Sequence, residues 1–144
     1  MGDYAIRAQF TAACEPAAVV RWLDTVDGIA GWWSDTVGGR ASDAGDRFTV
    51  SFPDAPMDFE LEVREASEAA VEWFVAENPP WWQGTTIRFD IAAGEEGGTS
   101  LLFTHSGFEP DHPIIAPITP AWVRFVDNLV AVCESGVANP AVVN

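Results

Sequence analysis

Few side chains of this sequence have a type and spacing suited to chemistry, and His105 leads them. It closes the alternating run Leu101, Phe103, His105, so it shares their apolar face. An imidazole there can hydrogen-bond a ligand or serve as a general base. The plain alternative is a satisfied histidine that anchors the loop after it. His112 and Asp111 follow shortly, yet His105, Asp111 and His112 match no standard zinc spacing, and neither Cys14 nor Cys133 is near in sequence. No metal and no cofactor is expected. Ser106 follows His105 without the Gly-x-Ser-x-Gly elbow of a nucleophilic serine. The catalytic residue is therefore unknown, with His105 the candidate if the protein is an enzyme. Gly94 to Gly98 is glycine-rich but encloses two glutamates, which makes a poor phosphate cradle.

The aromatic residues carry more information. Gly31-Trp32-Trp33 lies in a chain with 7 tryptophans and 9 phenylalanines. Phe48, Phe59, Trp73, Phe89 and Phe103 recur on the inward parity of successive strands, and Trp122 and Phe125 follow on a C-terminal helix. Large flat apolar side chains at such positions suggest a pocket walled by rings. The candidate ligand-binding residues are Trp33, Phe48, Phe59, Trp73, Phe89, Phe103, His105, Trp122 and Phe125. A core that is merely aromatic is the competing reading. Trp81-Trp82, after Pro79-Pro80, reads as the start of a strand, with one indole turned outward as an interface or a rim cover.

The elements that must position these residues follow from hydrophobic period. Tyr4, Ile6, Ala8 and Phe10 alternate with polar neighbours, as in a half-buried strand. Glu15-Pro16 opens a helix with Val19, Val20, Trp22 and Leu23 on its apolar face, and Asp27-Gly28 is expected to break it. A second short helix carries Ile29, Trp32 and Trp33. Residues 34–46 read as a loop. Strands follow around Phe48, Phe59, Trp73, Phe89 and Phe103, each with one apolar and one polar face, as in an antiparallel sheet with one wet side. Glu60, Glu62, Glu72 and Asp90 fall on the wet face, where Arg64 and Arg88 pair with them. Residues 106–118 read as an irregular loop, and Thr119-Pro120 as the start of a final helix ended by Gly136.

Length and composition set the class. The 144 residues suit one domain, 1–144 with a core at about 4–137, large enough to fold without disulfide or metal. Seven arginines, no lysine and 22 acidic residues give a formal charge of −15, which excludes nucleic acid and anionic membrane surfaces as favoured partners. Cys14 and Cys133 are expected as buried free thiols in a reducing compartment. No signal-peptide pattern or membrane-span-length apolar run occurs, so a cytoplasmic protein is expected.

The order of strand, two short helices, meandering strands and long C-terminal helix resembles the helix-grip fold. That is the START-like, Bet v 1-like α+β fold of the SRPBCC superfamily, in which a curved antiparallel β-sheet wraps around the last helix. Gly31-Trp32-Trp33, Trp82-Gln83-Gly84-Thr85, the stretch from Gly98 to Phe108, Trp122 and Gly136 together resemble the activator of heat-shock-protein-90 ATPase homologue family. The resemblance covers about residues 4–137. It implies a cavity that binds a small hydrophobic or aromatic ligand, with two alternatives. One is a polyketide cyclase/aromatase- or hydrolase-like enzyme using the same cavity; the other is a co-chaperone-type interaction module. It leaves a homodimer or a chaperone partner open.

Overall fold

The computed structural model describes residues 2–144; Met1, the first residue of the expected 1–144 domain, lies outside them. Seven strands form one curved antiparallel sheet. They are β1 (Tyr4–Ala12), β2 (Val37–Gly39), β3 (Arg47–Val50), β4 (Phe59–Ala66), β5 (Ala70–Phe74), β6 (Thr86–Ala93) and β7 (Thr99–Phe108). Their order is β1-β7-β6-β5-β4-β3-β2. The chain therefore leaves β1 at one edge, crosses through α1 (Pro16–Arg21) and α2 (Val26–Ala30), and re-enters at the other edge. From β2 it meanders back until β7 pairs with β1. A long helix, α3 (Ile115–Ser135), covers the inner face.

Alternation decides which face is inner. On β7, Thr99, Leu101, Phe103 and His105 are buried while Ser100, Leu102 and Thr104 are only partly covered. On β5, Val71 and Trp73 are buried and Glu72 and Phe74 are half-buried on the other side. α3 offers Trp122, Val126, Leu129, Val132 and Cys133 to the core, the three- and four-residue spacing of one helix face. Gly136 ends it in the left-handed conformation, φ 73°, which glycine adopts without steric penalty.

Several boundaries differ from those the sequence suggests. Tyr4 is 38% exposed, because a register shift between Tyr4 and Ala5 turns it off the inner face. Asp27-Gly28 lies inside α2: the Thr25 hydroxyl accepts from the Gly28 N–H at 2.9 Å and caps a new helix, so the break falls at Trp22–Thr25. Trp32 and Trp33 follow α2 rather than sit on it. Residues 34–46 contain the short edge strand β2. Ser106 to Phe108 continue β7, and α3 starts at Ile115 rather than at Thr119-Pro120. Pro120 is tolerated inside the helix because the carbonyl it cannot bond, that of Ala116, belongs to an exposed residue that water can serve.

Cys14 and Cys133 are joined in a disulfide across a sequence separation of 119 residues. This overturns the expected free thiols. The chain leaves β1 beside the last turns of α3, which brings the two Cα atoms to 6.4 Å. The Ala13 N–H also donates to the Glu134 carboxylate at 2.7 Å, so two links fix this corner. Among the described residues, no helix is long and apolar enough to cross a membrane.

Candidate functional site

The interior between the sheet and α3 is built from tryptophan. Trp32 and Trp33 are adjacent in sequence, yet both are fully buried with rings 5.7 Å apart and only 9° from parallel. The backbone makes this feasible. At Gly31, a Cβ would meet the Trp22 ring at 2.5 Å, so only glycine allows α1 and α2 to close so tightly. The Trp32 indole donates to the Trp22 carbonyl at 2.7 Å. On the far side the C-terminal tail straps the segment down. Backbone N–H groups of Asn139, Ala141 and Val142 donate to the carbonyls of Gly31, Trp32 and Trp33 at 2.8, 3.1 and 2.9 Å. Asn128 on α3 adds a side-chain bond to the Trp32 carbonyl at 2.8 Å. Residues beyond 137 thus help hold the aromatic interior, which the sequence did not suggest.

Trp33 is the hub. Its ring lies 6.0 Å from Trp73 at 6° and 6.5 Å from Trp82 at 17°, both stacked. Trp122 and Phe125 approach it from α3 at 5.2 and 6.3 Å. Phe48 and Phe89 meet Trp73 edge-on at 5.1 and 5.2 Å. Phe103 joins Phe89 to Trp122 at 5.4 and 4.5 Å, and Phe59 meets Trp82 at 4.8 Å. The structure therefore brings all nine sequence-selected residues, His105 among them, into one connected network. In this conformation those rings pack against one another. Phe125 is the least enclosed, being half-buried on α3.

Trp82 is the central member that strand parity did not select. Residues Pro80–Trp82 form a 3-10 turn instead of a strand, so the two indoles do not simply alternate. Trp82 is buried and Trp81 half-buried, edge-on to Phe59 at 6.0 Å. Trp32 and Thr85 were also missed as site residues. Thr85 could have been found only through its place in Trp82-Gln83-Gly84-Thr85.

His105 points inward and is fully buried. Its Nδ1 accepts from the Trp122 indole at 2.9 Å. That leaves the proton on Nε2, 2.9 Å from the Thr85 hydroxyl, which in turn donates to the Trp82 carbonyl at 2.6 Å. The chain Trp122–His105–Thr85–Trp82 ties α3, β7 and the 3-10 turn together. Burial pushes the His105 pKa down to about 3, so the imidazole is neutral throughout the physiological range. Both ring nitrogens are thus engaged by the protein. His112 is also occupied, its Nδ1 accepting from the Ile114 N–H at 3.1 Å. Among the described residues, no group of three or more His, Cys, Asp or Glu side chains is placed to hold a metal ion.

The outer face carries charge. Arg88 reaches Asp90 at 2.9 Å, Glu72 at 3.0 Å and Glu65 at 3.1 Å. Burial works against its charge, but the three carboxylate bonds outweigh it and raise the Arg88 pKa. Arg64 bonds Glu62 at 3.0 Å and lies 4.2 Å over the Phe74 ring. A groove of about 510 Å³ crosses this face near Gly38, Arg47, Glu60 and Phe74, and Phe48 of the ring network is among its lining residues.

No family model matches the chain, and no curated protein matches it. Solved structures do. The Aha1 protein of Colwellia psychrerythraea, solved in solution as a dimer, is 26% identical with a TM-score of 0.81, over 92% of this chain and 98% of that one. A Mesorhizobium loti protein is 20% identical with a TM-score of 0.76, over 92% of this chain and 98% of its own. DynU16, from the dynemicin biosynthetic locus, is 20% identical with a TM-score of 0.74, and the match covers 94% of this chain and 49% of that chain. In the last two cases the likeness is one of fold. With the motifs from Gly31-Trp32-Trp33 to Gly136 in place on a helix-grip scaffold, the chain is similar to the activator of heat-shock-protein-90 ATPase homologue family within the SRPBCC superfamily.

Proposed function

We propose that this protein binds a small, flat, hydrophobic or aromatic ligand among the rings between the sheet and α3. The observation that supports this most is the stacking around Trp33, whose ring lies within 17° of parallel to Trp32, Trp73 and Trp82. A planar molecule entering such a stack keeps ring-to-ring contact with both neighbours. The rings meet each other in the closed state, so entry requires one to move. Trp82 is the natural gate, since a short 3-10 turn carries it and the exposed Gly84 follows. Affinity is then reduced by the fraction of time the gate is closed. The neutral, doubly bonded His105 suits a strut that holds the gate rather than an acid or base, which disfavours the cyclase or hydrolase reading. Titration of tryptophan fluorescence with flat apolar compounds tests the proposal: saturable quenching near one equivalent supports it, and flat curves remove it.

A homodimer is the second reading, and the solved dimer of the Colwellia psychrerythraea relative favours it. Sedimentation at micromolar concentration tests it, a monomer mass being the contrary result. We read the location as cytoplasmic from the sequence, and the Cys14–Cys133 pair stands against that reading because disulfides persist in oxidising compartments.

A further inference from the structure

Five tryptophans are deeply buried: Trp32, Trp33, Trp73, Trp82 and Trp122. Two of their indole N–H groups are satisfied, Trp32 by the Trp22 carbonyl and Trp122 by His105. The other three, on Trp33, Trp73 and Trp82, have no acceptor among the described residues. They are Trp33 and two of the three rings stacked with it, the third being the satisfied Trp32, so the polar shortfall sits where the proposed ligand would enter. Buried donors are nearly always paired, and three neighbouring exceptions call for an explanation.

The shortfall has one sign. Among the described residues, each buried side-chain nitrogen or oxygen without a partner is a donor, and none is an acceptor. No arginine is buried, and the chain has no lysine. The interior thus offers hydrogen-bond donors without a cation to balance an anion, and a charged carboxylate or phosphate would be heavily penalised there.

Building on the ligand-binding reading above, we infer that the ligand is an uncharged planar molecule bearing carbonyl-type acceptors, a conjugated ketone or quinone. The ligand stacks on one of these rings and lies edge-on to at least one other of Trp33, Trp73 and Trp82, whose in-plane indole N–H donates to its oxygen; His105 does not contact it. Specificity then comes from the ligand's acceptors, because an apolar ring without them leaves the donors unpaired.

Three tricycles of similar size separate the possibilities: 9-fluorenone, with one acceptor; fluorene, with none; and carbazole, with a donor only. Each is titrated into the intact protein while the indole ¹H–¹⁵N resonances are followed. Fluorenone should bind roughly tenfold tighter than fluorene or carbazole, the worth of about one hydrogen bond. At least one of the Trp33, Trp73 and Trp82 indole protons should move downfield with fluorenone alone. Trp73→Phe or Trp82→Phe, which keeps a ring and removes the donor, should erode the preference. If either variant fails to fold, the wild-type shifts still decide. Equal binding of all three tricycles with those protons unmoved overturns the inference and leaves the binding reading intact. So does a preference for carbazole, or indole protons already bonded to buried water that fluorenone does not displace. Failure of every tricycle to bind defeats the binding reading itself, and this inference with it.

Discussion

The Trp122 indole on α3 donates to the His105 imidazole on β7 at 2.9 Å, and that bond fixes which histidine nitrogen carries the proton. Because Nδ1 accepts, Nε2 must donate to Thr85. A residue that looked like a candidate base is thereby held as a neutral link between helix and sheet.

That neutrality has a pH signature. The His105 pKa is lowered by burial to about 3, below the 6.5 of the free side chain. Between those values the unfolded chain takes up a proton that the folded protein refuses. The neutral histidine's contribution is complete above pH 6.5 and is lost as pH falls toward 3. The expected slope is about 1.4 kcal/mol per pH unit at most from this group. Denaturant unfolding of wild type and His105→Gln across that interval measures it: the variant should lack this part of the slope. Identical slopes would mean that His105 titrates normally.

Thr85→Val should destabilise the protein by about 1–3 kcal/mol, since it leaves the buried His105 Nε2–H without an acceptor. The chain continues to the Trp82 carbonyl, so the effect should not add to that of Trp122→Phe. A double-mutant cycle by urea unfolding reads the coupling, and strict additivity would show that the bonds act independently.

Reducing the Cys14–Cys133 bond, or replacing Cys133 with serine, should lower stability by about 2–4 kcal/mol, the usual range for a native cross-link. Unfolding with and without reductant is the test. Thiol titration of protein taken from its own host adds the compartment: two free thiols would restore the reducing environment expected from sequence.

On the outer face, Arg88→Met leaves Glu65, Glu72 and Asp90 without their shared cation. The side chain is one-third exposed, so a loss of about 1 kcal/mol at most is expected, and added salt should shrink it because the surviving carboxylates repel one another. A salt-independent loss would point to packing of the arginine stem instead.

Period and parity made the sheet legible. Strand alternation placed Phe48, Trp73, Phe89, Phe103 and His105 inward, and all are buried. Trp122 read correctly as part of the inner face of α3, with Phe125 half-buried beside it. What failed was local conformation that tertiary contacts decide. Trp82 sits on a 3-10 turn, where strand parity has no meaning. Pro117 and Pro120 hid the start of α3, because proline reads as a boundary even where the missing bond faces water. The Cys14–Cys133 pair depends on two elements meeting across 119 residues, which no spacing rule reports. The three unpartnered indoles were invisible for the same reason, since a sequence shows donors but not their surroundings.

The central claim is that the ring stack around Trp33 opens to admit a flat apolar ligand. Calorimetric titration with 9-fluorenone at several temperatures tests it most directly, with tryptophan fluorescence followed in parallel. The account predicts one site per chain, quenched fluorescence, and a negative heat-capacity change as apolar surface leaves water. No heat, no quenching and no change in unfolding midpoint with this or any related flat compound would contradict it, and would make the aromatic interior a packed core alone.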